Sequence, residues 1–354
     1  MSTYTLYNDG TYNVISTFFS NFLEKRGIIC TEVASSDFVI FVGNHESNKY
    51  TTVKISNPSA ITISINSNNK DTLLLLDTIL HNRFNLAMDI NGSNFTVFDP
   101  LGNVWYEGND LDKSFSVLVE RMEKYTTFKR IGTENLSIKD LESFVKEHRI
   151  ITFKNEQVEF IEQYVKKVSE VFYSFMNVGE STKRYLGNSS FRCIRGGFPS
   201  FRTGKHSEFI AVSPRNSDKR CIGIEDMVII YPNSTLFDRN ISRIGYFTLD
   251  GSDRKPSVDT PVQLMLYERF KWINYIIHTH AYVKGAKYTE NVYPCGCINE
   301  YSEIAKKIPQ LEKNDKGFSL NLLGHGSLSL AKVPEYFNSI EFVSRFFLEK
   351  QTKI

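Results

Sequence analysis

Hydrophobic and polar positions alternate with two different periods over the first part of the chain. Residues 61–65 read Ile-Thr-Ile-Ser-Ile, a period of two that is typical of a half-buried β-strand. Between residues 12 and 26, apolar side chains instead recur every three or four positions, which predicts an amphipathic helix. Because strand and helix patterns continue to alternate, we predict a Rossmann-like α/β domain over residues 1–130.

This predicted N-terminal domain carries no recognisable nucleotide motif. Neither Gly-x-Gly-x-x-Gly nor a P-loop sequence occurs in it, and its first strand-to-helix turn offers only Asn8-Asp9-Gly10. Two roles therefore stay open for the domain, which are a nucleotide site and a scaffold or assembly role.

A polar, charge-rich segment at residues 131–154 follows, which we predict to be a linker with a short helix. The second domain, residues 155–354, begins with apolar positions at helical spacing over residues 155–176. A chain of 354 residues is itself typical of two domains.

The second domain holds a group of residues with metal-binding potential. Asp259 stands just before a helix that Pro261 can open, and a short apolar strand then ends in His278 and His280. Alternate residues of a strand point to the same face, so both imidazoles can reach one ion. His325 stands alone in a Gly-His-Gly stretch. Three histidines with an open fourth position are typical of catalytic zinc, although chance spacing of histidines is the alternative.

Composition limits the partners of the chain. A formal net charge of +2 gives no reason to expect a nucleic acid or an acidic membrane surface as partner. The apolar runs are too short to span a bilayer, and the N-terminal residues lack the pattern of a signal peptide. Five cysteines with scattered spacing do not form a disulfide framework. We therefore expect a cytoplasmic protein with neither nucleic-acid nor membrane partners.

Several short motifs of the second half occur in a characteristic order. Gly-Asn-x-Ser-x-Arg at residues 187–192 precedes Ser-Pro-x-x-x-Asp-Lys at residues 213–219 and Glu-Asp-Met-Val at residues 225–228. Ser-x-Asp-Thr-Pro, His-Thr-His and Gly-His-Gly follow. In this order the motifs resemble the class II aldolase/adducin family over about residues 155–350, most of all its L-ribulose-5-phosphate 4-epimerase-like members. The resemblance implies an α/β fold with a central antiparallel sheet, and a homo-oligomer, usually a tetramer with sites at subunit interfaces.

The same resemblance implies roles for the histidines and for the nearby carboxylate. His278, His280 and His325 would be the ligands of Zn²⁺ or of another divalent metal. Asp259 would lie beside the ion as an acid/base or as a transient fourth ligand.

A small-molecule anionic sugar is the substrate that the resemblance implies. Asn188 and Ser257 would hold its phosphate, and Arg215 and Asn216 would contribute from the loop that begins with Ser-Pro.

The chemistry of such a site is retro-aldol cleavage. A divalent metal stabilises the enediolate that forms when a carbon–carbon bond of the sugar breaks, and a carboxylate moves the proton. The resemblance thus implies an epimerase or an aldolase. Two alternatives stay open, which are an adducin-like binding or assembly protein without catalysis and a sugar-phosphate dehydratase of the same fold.

Some positions depart from the family pattern. Arg215 and Asn216 stand where relatives have serine and glycine, and Val258 replaces the second serine of the usual pair. The second catalytic aspartate of the epimerases has no clear counterpart, and Glu290 is the nearest acidic candidate. These departures predict an altered substrate or reaction.

Overall fold

A computed structural model describes most of both halves of the chain. The described residues are 2–43, 56, 61–66, 79, 84–99, 103–127, 132–135, 162–163, 165–167, 169–170, 187–193, 209–230, 236–238, 241–248, 250–293, 296–309, 311, 315–343 and 349–350.

These residues form two compact units. The first unit holds the described residues up to 127 together with residues 349–350, and the second holds those between 132 and 343. The predicted linker, residues 131–154, contains a strand at Gly132–Asn135 and otherwise lies outside the described residues. The domain limits inferred from the sequence therefore stay a prediction.

The first unit is a sheet of eight described strands, and two of its helices have described bounds. The strands are β1 (Thr3–Asn8), β2 (Ile29–Cys30), β3 (Phe38–Val42), β4 (Ile61–Asn66), β5 (Leu86–Asn91), β6 (Asn94–Phe98), β7 (Asn103–Gly108) and β18 (Glu349–Lys350). The helices are α1 (Asn13–Lys25) and α2 (Leu111–Thr127). The strand order is β18-β7-β6-β5-β4-β3-β1-β2. Strands β1, β3, β4 and β5 are parallel neighbours, whereas β6 pairs antiparallel with both β5 and β7.

Strand β4 differs from the sequence prediction in its burial. Its alternation of Ile with Thr and Ser predicted one solvated face, but all six of its residues are buried. The strand lies between two parallel neighbours, and strands inside parallel sheets are covered on both faces. The hydroxyl of Thr62 donates to Asn85 Oδ1 at 3.2 Å, so this buried polar group is hydrogen-bonded.

The second unit is built on a sheet of ten described strands. The strands are β8 (Gly132–Asn135), β9 (Asn188–Cys193), β10 (Phe209–Val212), β11 (Val228–Ile230), β12 (Leu236–Asp238), β13 (Ile241–Thr248), β14 (Tyr275–Thr279), β15 (Lys287–Tyr288), β16 (Gly317–Leu322) and β17 (Gly326–Ala331). Their order is β12-β13-β11-β10-β9-β14-β17-β16-β15, with β8 beside β13. All neighbours are antiparallel except the parallel pairs β8–β13 and β15–β16.

Two helices, α3 (Thr260–Arg269) and α4 (Ile298–Lys307), pack on this second sheet. Their apolar side chains form one buried cluster with side chains of β14, β16 and β17; the cluster includes Leu266, Ile276, Ile304, Leu320 and Leu328. Ile276 and His278 are two residues apart on β14 and so share a face of the sheet. On one face of β14, the residue next to the apolar core is therefore a member of the group of histidines.

The mixed α/β class predicted from the sequence is confirmed by these two sheets and their helices. None of the helices in the described part of the chain is long and apolar enough to span a membrane.

Truncating Ile276 to Ala should lower the free energy of unfolding by about 2–5 kcal/mol, because the side chain is fully buried and its removal leaves a cavity. Thermal unfolding followed by circular dichroism measures this effect. Val333→Ala is the control, since Val333 is exposed and its truncation should change the midpoint very little. Equal effects of the two substitutions would contradict the assignment of Ile276 to the core.

Candidate metal centre

Strand pairing brings the three predicted ligands together. In the register of the sheet, His278 of β14 lies opposite Asn188 of β9 on one side and opposite Leu328 of β17 on the other. His280 follows β14 directly, and His325 lies in the turn that connects β16 to β17. Imidazole nitrogens of the three histidines lie within 4.8 Å of one another. The geometry therefore allows the three rings to bind one ion.

Gly326 allows the turn with His325 to approach β14. Its φ of +116° lies in the region that favours glycine. A β-carbon at this position would lie 2.0 Å from the backbone oxygen of Thr279, which is an impossible distance. Any other residue here would displace His325 from His278 and His280.

A backbone contact orients the ring of His278. Its Nδ1 lies 2.9 Å from the carbonyl oxygen of Ser327, which can only accept, so Nδ1 carries the hydrogen and the lone pair is on Nε2. Burial and the neighbouring His325 lower the pKa of His278 to about 4. The ring is thus neutral at neutral pH, which is the form that binds metals. Its Nε2 is buried and has no hydrogen-bond partner in the part of the chain that the structure describes.

Asp259 faces the histidines instead of capping its own helix. It precedes α3, which begins at Thr260 with Pro261 in its first turn, and its side chain makes no capping hydrogen bond. One carboxylate oxygen, Oδ2, lies 3.9 Å from His278 Nε2, and the other, Oδ1, lies 3.9 Å from His325 Nε2. Within the described residues, Oδ1 is also buried without a hydrogen-bond partner. Two buried atoms that each present an unsatisfied lone pair, His278 Nε2 and Asp259 Oδ1, lie beside His325, and a bound cation would satisfy both.

Asn188 and Ser257 contact this carboxylate. Asn188 Nδ2 donates to Asp259 Oδ2 at 2.8 Å, and Ser257 Oγ donates to the same oxygen at 3.3 Å. Both residues are buried. Their predicted role in phosphate binding stays a prediction, and the structure adds a contact to Asp259 that the sequence did not indicate.

Arg215 and Asn216 lie on an exposed loop after β10. Asn216 adopts a left-handed conformation with a φ of 58°. The backbone N–H of Arg215 donates to Lys255 O at 2.8 Å, which brings the loop next to the segment that leads to Ser257. A role of these two side chains in substrate binding stays a prediction.

Glu300 is a member of the site that sequence reasoning missed. It is buried in the first turn of α4, and His325 Nδ1 lies 2.7 Å from its Oε1. Burial raises the pKa of Glu300, and the contact with His325 opposes this effect. Glu300, Ile304 and Ile308 share one helix face. The sequence therefore did contain a signal for a buried acid, which is an acidic residue on an otherwise apolar helix face.

Glu290, the acidic candidate suggested by the sequence, lies elsewhere. Its side chain is 79% exposed and forms an ion pair with Lys307 at 2.9 Å. Asp259, Glu300 and His325, by contrast, offer ligand atoms within 4.8 Å of one another. The second carboxylate beside the histidines is therefore Glu300.

Lys219 is a buried cation in this unit that was not predicted as a site residue. Its exposure is 1%, and burial lowers the pKa of its ammonium to about 7. Its neighbour Asp218 is engaged by Arg220, whose guanidinium donates to both carboxylate oxygens at 2.9 and 2.7 Å. The charge of Lys219 also contributes to the lowered pKa of His278.

Comparison with known proteins gives a family match in the second half of the chain. Residues 173–312 match the family described as "Class II Aldolase and Adducin N-terminal domain". A solved structure, "Structure of the N-terminal Class II Aldolase domain of a conserved protein from Thermoplasma acidophilum", aligns with 14% identity and a TM-score of 0.34, over 54% of this chain and 92% of that chain. No curated protein matches the sequence. The matched family segment contains Asp259, His278, His280 and Glu300, whereas His325 lies beyond its end.

Replacing Glu300 with Gln should weaken metal binding by about 10- to 100-fold, because a carboxylate that orients a ligating imidazole and raises its basicity is lost. Competition for zinc with a chromophoric chelator measures the change. Glu303→Gln is the matched control, since Glu303 lies on the same helix but accepts from Asn291 Nδ2 at 3.2 Å. Unchanged affinity in the Glu300 variant would refute its role.

The free energy of unfolding should rise as the pH increases above 7, because only the unfolded chain keeps Lys219 protonated up to its ordinary pKa of 10.5. Unfolding midpoints between about pH 7 and 9 test this. Lys219→Met should remove this part of the increase. An identical pH dependence in the variant and the wild type would show that the ammonium does not titrate in this range.

Proposed function

We propose that the segment matching the class II aldolase/adducin family is part of a metal-dependent enzyme that acts on an anionic sugar by retro-aldol chemistry. The observation that carries the proposal is the pair of buried, unsatisfied atoms Asp259 Oδ1 and His278 Nε2 beside His325. Burying such atoms is costly unless a ligand completes their contacts.

His278, His280 and His325 would hold the metal, and zinc suits three imidazole ligands. A divalent ion held there would supply Lewis-acid stabilisation to the negative charge that develops on the sugar as its carbon–carbon bond breaks. The neutral ring of His278 supports this assignment, because a protonated imidazole cannot bind a cation.

Asp259 is the residue that we propose moves the proton. Its Oδ2 is held by Asn188 and Ser257, so Oδ1 is the oxygen that can accept or return a proton. Glu300 holds His325 by its Nδ1 and keeps the opposite nitrogen directed at Asp259. Epimerisation follows if the aldehyde product turns and the bond re-forms, and aldol cleavage follows if that product leaves.

The positive charges of the second unit support the proposal that the substrate carries an anionic group. Lys219 is buried without an ion-pair partner among the described residues, and such a cation gains most from an incoming anion. Arg215 lies on the exposed loop next to the segment that precedes Ser257. We propose a phosphorylated sugar, with Asn188, Ser257, Arg215 and Asn216 as the residues to test for contacts with its phosphate.

Further features of the proposal follow from the family resemblance. They are a homo-oligomer, usually a tetramer in this family, and a class II aldolase-like arrangement of the second sheet. A cytoplasmic location is proposed from the scattered cysteines instead. For the first unit we propose a Rossmann-like arrangement, which the parallel pairing of β1, β3, β4 and β5 supports.

The purified protein should contain about one zinc per chain, and His278→Ala should remove it because a buried ligand is lost. Asp259→Asn should keep the metal, with lower affinity, but abolish turnover of sugar phosphates, since an amide cannot serve as the base. Elemental analysis measures the metal, and mass spectrometry with chromatography of the products measures turnover.

The reaction products also distinguish the proposed epimerase or aldolase from the alternative functions. An epimer of equal mass or two smaller fragments would support the proposal, whereas a loss of one water would identify a dehydratase. A chain that binds metal but converts none of the sugar phosphates would favour an adducin-like binding or assembly protein. A chain without any divalent metal would overturn the proposal.

A further inference from the structure

A chain of buried hydrogen bonds leads from helix α3 to the carboxylate of Asp259. Gln263 Nε2 donates to Asn188 Oδ1, and Asn188 Nδ2 donates to Asp259 Oδ2 at 2.8 Å. Gln263 and Asn188 are each 1% exposed. These contacts connect the first turns of a helix, the start of β9 and the group of histidines.

The two contacts of Asn188 fix the orientation of its amide. An asparagine side chain has one end that donates and one end that accepts. Because the N–H of Gln263 occupies the accepting end, the donating end is directed at Asp259. In the reversed orientation, the amide oxygen of Asn188 would face the carboxylate and repel it.

A glutamine at position 263 is energetically unfavourable if the side chain only fills space. Its Oε1 is buried and has no hydrogen-bond partner among the residues that the structure describes. An apolar side chain of similar size would avoid this unsatisfied acceptor. We therefore attribute the amide at this position to its N–H group, which donates to Asn188 Oδ1.

The same contacts decide which oxygen of Asp259 is available. Oδ2 accepts from Asn188 and from Ser257, whereas Oδ1 lies 3.9 Å from His325 Nε2. Gln263 lies in α3 one turn after Asp259, the residue that precedes the helix, and the backbone N–H of Gln263 donates to Asp259 O at 3.1 Å. The turn of the helix thus sets the distance between Gln263 and Asp259, which are the two ends of this series of hydrogen bonds.

We propose that Gln263 is a positioning residue that acts through Asn188 and holds Asp259 with Oδ1 directed at the ion between His278, His280 and His325. The inference rests on the metal site of the proposed function, and it names residues that hold the carboxylate without touching the metal themselves.

Cobalt is the probe for this inference, because its visible absorption reports the ligands around it. Gln263→Glu keeps the shape of the side chain but removes the donor to Asn188. It should weaken Co²⁺ binding by about tenfold and change the absorption spectrum, since Asp259 is no longer held. Gln263→Met, which also lacks the donor, should give the same changes and decides the question if the first variant does not fold.

Asn274→Asp is the matched control. It alters another amide, which donates to Lys332 O at 2.9 Å just before β14, four residues before His278. This control should leave both the spectrum and the affinity for Co²⁺ unchanged, even if it lowers thermal stability.

A double variant tests whether Gln263 acts through Asn188. Once Asn188→Ala is present, adding Gln263→Glu should cause no further loss, because the contact between the two residues is already absent. Additive losses would overturn the inference, as would a wild-type spectrum and affinity in both Gln263 variants. A wild-type chain that binds no Co²⁺ would instead overturn the proposed function, and the inference with it.

Discussion

The pairing of β14 with β9 on one side and with β17 on the other determines where each group of the candidate site lies. This register sets His278 opposite Asn188 and next to the strand that follows His325. Gly326 permits the close approach of the turn to β14. A slip of one residue in either pairing would turn the histidine side chains to the opposite face of the sheet.

Buried polar groups are the second constraint on this unit. Two imidazoles, two carboxylates and one ammonium are buried, the third imidazole, that of His280, is half-buried, and a buried polar group without partners is costly. Specific contacts offset part of this cost. Ser327 O accepts from His278, Glu300 holds His325, and Asn188 donates to Asp259. What these contacts leave unsatisfied lies between His278 and Asp259, where a cation fits the charge and the lone pairs.

The sequence predicted the part of the site that depends on local pattern. The spacing of His278 and His280 predicted two rings that reach one ion, and their nitrogens do lie within 4.8 Å of each other, although His280 lies just beyond the end of β14. Asp259 precedes a helix, as the sequence predicted. His325 is distant in sequence, and it was grouped with the other two histidines as a possible zinc ligand before the order of the family motifs supported that grouping. The burial of both faces of β4 was not visible in its alternating residues, because burial depends on neighbouring parallel strands.

Other members of the site could not be predicted because their roles arise from contacts between distant elements. Glu300 meets His325 across 25 positions of the chain, and Gln263 meets Asn188 across 75. Glu290 was chosen for its closeness in sequence to the histidines, yet it pairs with Lys307 near the surface. Sequence distance was a poor guide because each of these pairs is formed by packing of a helix on the sheet or on a loop.

X-ray absorption spectroscopy of the zinc-loaded protein measures directly whether the three histidines bind the ion. We expect a first shell of nitrogen and oxygen with the scattering pattern of three imidazoles, and the loss of one imidazole in His280→Ala. A shell that contains sulfur, for example from the buried thiol of Cys297, or a shell without imidazole would contradict this expectation.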